Sequence, residues 1–126
     1  MIQKKIIELV RETLGLPDNE SIALDQLLFY DLAFTSMDML DLIFRTEQSF
    51  NISIPEGTIL NIARGDIPDS EFTNDGILTK KGRDKLMSLL YDSPKEIFPE
   101  RIHINTLPRY CTVGAMARLV EYKLKE

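Results

Sequence analysis

An all-α fold, a four-helix bundle enlarged by an inserted and mainly helical subregion, is what this sequence predicts. Apolar residues recur at three-to-four spacing near both ends of the chain, and recognisable caps and stops bracket those segments. The size agrees: 126 residues with 44% hydrophobic content suffice for one core, whereas two full domains would be a squeeze.

The first helix is expected over residues 2–14, where Ile2, Ile6, Leu9, Val10 and Leu14 share a face and Gly15 supplies the stop. Pro17, Asp18 and Asn19 open a long connection up to Thr35. Its apolar cluster of Leu24, Leu27, Leu28, Phe29, Tyr30 and Leu32 predicts that it wraps against the core rather than running free. A second helix is expected from Ser36 to Phe50, with Met37, Leu40 and Phe44 packing inward and Asn51 at its end. Ile52, Ile54 and Pro55 read as an extended exit, followed by a short helix over residues 58–63 that Arg64-Gly65-Asp66 breaks. Asp75-Gly76 marks a turn. Thr79 can cap a helix bearing Leu86, Leu89 and Leu90, and Pro94, Pro99 and Pro108 punctuate an irregular stretch with a short strand expected at residues 101–104. Thr112 can cap a last helix whose core face is Val113, Met116, Ala117 and Val120.

Charge narrows the function. Net charge is −5, and residues 1–56 hold ten acidic against four basic side chains while residues 57–110 are balanced at eight each. An acidic first half repels nucleic acid and suits partners with basic surfaces. No apolar run approaches the roughly 20 residues that span a bilayer. The single cysteine, Cys111, has no internal disulfide partner and no secretory leader is evident, so a cytoplasmic location and a monomer are the expectations.

The densest signal is DLAFTSMDMLDLIFRTEQSFNISIP, from Asp31 to Pro55: an acid and Leu, a small turn, Ser36, then an amphipathic helix with an Ile-Pro close. This segment resembles the acyl carrier proteins. In that family an Asp-Ser-Leu triplet opens the second helix; the matching residues are Thr35-Ser36-Met37, and Asp38, Asp41, Leu42, Glu47, Phe50, Ile54 and Pro55 fall on similar positions without a gap. Thr112-Val113 resembles the entry to the family's last helix, so the likeness covers residues 1–57 and about 110–125.

The resemblance implies one carrier domain over residues 1–126, interrupted by an insertion at about 58–109 that replaces a short loop and third helix. It implies 4'-phosphopantetheine on Ser36, transferred from coenzyme A by a phosphopantetheinyl transferase. Helix physics agrees, because a serine at a helix start lies beside backbone N–H groups that favour a phosphodiester. It further implies docking of acyl-processing enzymes, through basic surfaces, onto Met37, Asp38, Leu40, Asp41, Phe44 and Glu47, with Arg45 unexpected among those acids. An acyl chain would be sheltered by Leu40, Ile43, Phe44, Ile54, Ile59 and Ile62. The insertion, with its apolar helix and neutral charge, is expected either to widen that shelter or to offer a second partner surface. Thr35 departs from the family's acid at that position, which puts recognition by a general transferase in question.

Other readings stay open. Ser36, or Thr35 with Asp38 three residues on, also suits an ordinary helix cap. Catalysis is not expected: His103 is the one histidine, in a Pro-punctuated stretch, and His103 with Cys111 are too few for a zinc site. The Leu78-Thr79-Lys80-Lys81-Gly82 run lacks the glycine spacing of a phosphate loop. The cargo could be fatty, lipid-linked or polyketide acyl groups; the alternatives are an aminoacyl or peptidyl carrier, and an arm-free interaction module.

Overall fold

A computed structural model describes residues 1–126. Helix α1 spans Ile2–Leu14 and buries Ile6, Leu9 and Val10. It ends where Gly15 turns left-handed at φ 66° and the Leu16 N–H reaches back 2.9 Å to the Arg11 carbonyl. The connection that follows is tied down as its apolar content predicts: Ile22, Leu27, Leu28 and Phe34 are buried, although Tyr30 is exposed. Main-chain hydrogen bonds lace it to the start of the last helix, from Val113 N to Gln26 O and from Gly114 N to Leu24 O at 2.8 Å.

Helix α2, Ser36–Phe50, ends at a left-handed Asn51. Its core face differs from the expected one: Met39, Leu42 and Thr46 are buried, whereas Met37, Leu40 and Phe44 point to solvent. Both sets share the same helical spacing, and the true core face is disguised by a threonine whose hydroxyl donates 2.7 Å to the Leu42 carbonyl and so tolerates full burial.

Helix α3 covers Thr58–Arg64 and the single-turn α4 covers Asp69–Phe72. Strands β1 (Thr73–Asn74) and β2 (Ile77–Leu78) form a two-residue hairpin about Asp75 and Gly76, both with positive φ. The strand expected at residues 101–104 is reduced to one bridge, Ile77 to His103, flanked by Leu78 N–Ile102 O and Ile104 N–Gly76 O hydrogen bonds. Helix α5, Lys80–Leu89, starts at a Thr79 cap that accepts from Gly82 N. Short 3₁₀ turns at Lys95–Ile97 and Ile104–Tyr110 lead to α6, Val113–Leu124, capped by Thr112.

Helix α1 packs on α2 and α6, and α3 packs on α5. Phe72, Leu78, Leu86, Leu90, Phe98, Ile102, Leu107 and Tyr110 join α1 and α6 residues in one buried cluster. The architecture is therefore an all-α bundle with a minimal hairpin, and no helix is long and apolar enough to cross a membrane.

Candidate functional site

The start of α2 is held by two anchors. Phe34 is buried two residues before Ser36, with its N–H bonded to the Leu28 carbonyl and its ring 6.3 Å from that of Phe29. Ala33, at φ 56°, adopts a left-handed turn that costs a residue with a Cβ about 1 kcal/mol, and the anchors on either side hold it there. The Asp31 carboxylate accepts from Leu27 N at 2.7 Å and fixes the far side of the turn.

Thr35, not Ser36, is the cap. Its hydroxyl accepts from Asp38 N, while the Asp38 carboxylate accepts from Thr35 N at 2.9 Å, completing a capping box. Ser36 is consequently the first residue of the helix, exposed, with a hydroxyl that enters none of the side-chain hydrogen bonds of the chain. An unencumbered nucleophilic oxygen at the positive end of a 15-residue helix fits a phosphodiester-linked group.

Along α2 the acidic side chains predicted for docking are each engaged. Asp38 serves the cap; Asp41 accepts from Arg45 Nε at 3.1 Å; Glu47 accepts from Ile54 N at 2.7 Å and pins the exit of the helix. Arg45 also reaches Glu12 at 3.2 Å, which accounts for its presence among the acids. Met37, Leu40 and Phe44 are 73%, 62% and 60% exposed, so their inward packing is corrected and Leu40 and Phe44 line no interior shelter.

An apolar cavity of about 270 Å³ lies among α3, α5 and α6. Ile59 and Ile62 stand in its wall; Ile43 and Ile54, expected there, do not. Ile54 is buried and Ile43 packs against the core. The rest of the wall includes Leu86, Leu89, Tyr91, Cys111, Met116 and Leu119, residues that periodicity alone reads as ordinary core. Ser88 and Arg118 are its only members that are not hydrophobic. Arg118 is paired: it donates to Asp92 at 2.9 and 3.1 Å and to the Leu89 carbonyl, and lies 4.5 Å from the Tyr91 ring centroid. Burial pushes the Asp92 carboxyl up, but the hydrogen bonds from Arg118 and Thr112 outweigh it and hold the group below its ordinary value; the bond to Asp92 in turn raises Arg118. Burial drives the Cys111 thiol up to about 12, leaving it neutral and unreactive. His103 is exposed and serves as the N-cap of the second 3₁₀ turn, with its carbonyl accepting from Thr106.

The family described as "Phosphopantetheine attachment site" matches residues 4–65, from α1 through α3. The acyl carrier protein of Aster yellows witches'-broom phytoplasma (strain AYWB) is 38% identical over 61 residues, which are 48% of this chain and 79% of that protein. No solved structure gives a significant match. The chain belongs to the acyl carrier protein family, whose members bear 4'-phosphopantetheine and act as carriers rather than enzymes.

Proposed function

We propose that Ser36 carries the phosphopantetheine arm and that the chain delivers acyl groups to the enzymes of fatty acid, lipid or polyketide synthesis. The observation that carries this reading is the division of labour at the start of α2: Thr35 and Asp38 make the cap, so the Ser36 hydroxyl is left exposed and unpaired beside free helix N–H groups. When bound, the arm supplies a terminal thiol that holds the acyl group as a thioester. The chain's own residues orient the attachment oxygen and give the anionic linkage a favourable field.

The cavity among α3, α5 and α6 supports an acyl cargo over an aminoacyl one. Its wall is apolar, its one cation is already paired, and a free amino group placed there would lose its hydration without a partner. An apolar cavity of about 150 Å³ holds benzene, so one of about 270 Å³ has room for a chain of roughly ten carbons. Ile59 and Ile62 contribute to this shelter, and α5 supplies a wall of its own, which favours a widening role for the insertion. The added segment is best drawn after α3, since the matched part runs to residue 65, and its residues share the core of a single domain.

Incubation with coenzyme A and a broad-specificity phosphopantetheinyl transferase tests the reading. Intact mass is expected to rise by one phosphopantetheine, with no gain in Ser36→Ala. Absence of the gain with several transferases would instead favour a module that keeps the fold without the arm.

A further inference from the structure

The cavity among α3, α5 and α6 is complete without any part of the helix that bears Ser36. Its wall is drawn from residues 59–63, 86–91 and 111–122, and neither α1, α2 nor the connection between them contributes a side chain. Burial is graded along it. Ala63, Cys111, Ala115 and Met116 are each at most 8% exposed and close one end, whereas Tyr91 and Tyr122, 71% and 52% exposed, stand where the other end meets solvent. The small side chains of Ala63 and Ala115 leave a depth that larger residues would fill.

Two polar residues stand in the wall, and one of them has donors to spare. Ser88 spends its hydroxyl proton on the Lys85 carbonyl at 2.7 Å. Arg118 lies at the open end, against the Tyr91 ring. Three of the five guanidinium N–H groups go to Asp92 and the Leu89 carbonyl, which leaves two without an acceptor. Asp92 offsets the charge of Arg118 but does not use these donors. An enclosed apolar bed with spare N–H groups at its mouth suits an unbranched chain that ends in an oxygen acceptor. A negative head gains little from a cation already offset, and a positive head would meet donors only.

We propose that this cavity binds a free single-chain amphiphile of roughly ten carbons with a neutral oxygen head, without the arm and without a covalent bond. The tail lies against Ala63 and Ala115, and the head accepts from Arg118. This binding goes beyond carriage on Ser36, since a chain lacking that serine keeps every residue of the wall.

Calorimetric titration of the Ser36→Ala chain with 1-decanol, kept below its solubility limit, tests this. Saturable binding of one molecule per chain is expected, with a Kd below about 100 µM. Decylammonium, which has the same tail and a cationic head, is expected to bind at least about tenfold more weakly. Ala63→Leu and Ala115→Leu fill the closed end from two different helices, and each is expected to weaken decanol binding at least about fivefold while keeping the parent's thermal melt. The comparison of the two ligands leaves the wall unchanged, so it decides the matter even where a substitution disturbs the fold. Phe44→Asn, on the exposed face of α2, should leave decanol binding within about twofold. No saturable binding, decylammonium binding as tight as that of decanol, or folded Ala63→Leu and Ala115→Leu chains that bind decanol like the parent would each overturn the proposal. So would a loss in Phe44→Asn, because it would assign the ligand to the surface of α2. Loading of the unmutated chain, read by mass, reports separately on the attachment point.

Discussion

Replacing Asp92 by alanine should weaken the hold of the added segment on α6. Its carboxylate receives two guanidinium N–H bonds from Arg118, at 2.9 and 3.1 Å, and the Thr112 hydroxyl at 2.7 Å, so one side chain ties the end of α5 to the cap of α6. The Asp92 and Arg118 side chains are 19% and 31% exposed, between a surface pair and a buried one. Leaving Arg118 without its partner should therefore cost about 2–3 kcal/mol. An unfolding entropy of about 2.1 cal/mol/K per residue gives about 0.26 kcal/mol/K for this chain, so Tm should fall by roughly 8–11 °C. The loss should depend on pH. In the folded state the Asp92 carboxyl is held below its ordinary value, so near pH 4 the unfolded chain binds more protons there. The stabilisation is complete above the unfolded value of about 4 and disappears as pH falls through the lower folded value. Melts followed by circular dichroism from neutral to acid pH should show the gap between parent and variant closing in acid. A second substitution, Arg118→Met, should recover part of the loss because it removes the stranded cation. A fall in Tm under about 2 °C, or a gap that does not narrow in acid, would refute the reasoning.

Three other outcomes follow from local geometry. Thr35→Ala should cost about 1 kcal/mol in urea unfolding, whereas Thr35→Ser, which keeps a hydroxyl able to accept from Asp38 N and donate to its carboxylate, should stay within a few tenths. Gly82→Ala should destabilise although α5 would gain about 1 kcal/mol of helix propensity, because the new methyl would collide with the Phe72 carbonyl and ring; overpacking of about 1–3 kcal/mol should dominate in the same assay. The Cys111 thiol is neutral in the folded chain up to about 12, so above about pH 9 the unfolded chain releases a proton that the folded one keeps. Stability should then decline by up to about 1.4 kcal/mol per pH unit more steeply in the parent than in Cys111→Ala, as measured by urea titrations at several alkaline pH values.

Features set by neighbours in sequence were legible before the structure. Gly15 and Asn51 end their helices in left-handed turns, and Thr79 and Thr112 cap theirs, because these effects need only a few consecutive residues. The buried face of α2 was not legible: two apolar stripes share one spacing, and Thr46, polar yet wholly buried, hides the one that packs. Met37, Leu40 and Phe44 carried two readings, inward packing from periodicity and docking from the resemblance, and their exposure removes the first. The edge pairing near His103 failed to become a strand because its partner is a hairpin only two residues deep. Ser36 was legible through the surrounding segment, yet its release from capping duty was not, since Thr35 and Ser36 are both good caps. Nothing in sequence brings Asp92 to Arg118 or sets Ile59 and Met116 in the wall of one cavity; those juxtapositions depend on how α3, α5 and α6 meet.

The central claim is that one oxygen, the Ser36 hydroxyl, bears the arm. Fragment-ion mapping of the tryptic peptide covering residues 12–45, taken from protein coexpressed with a phosphopantetheinyl transferase, tests it most directly. The account predicts phosphopantetheine on Ser36 and none on the neighbouring Thr35 or the more distant Ser21, whereas the group on another residue, or a peptide that stays unmodified with every transferase tried, would contradict it.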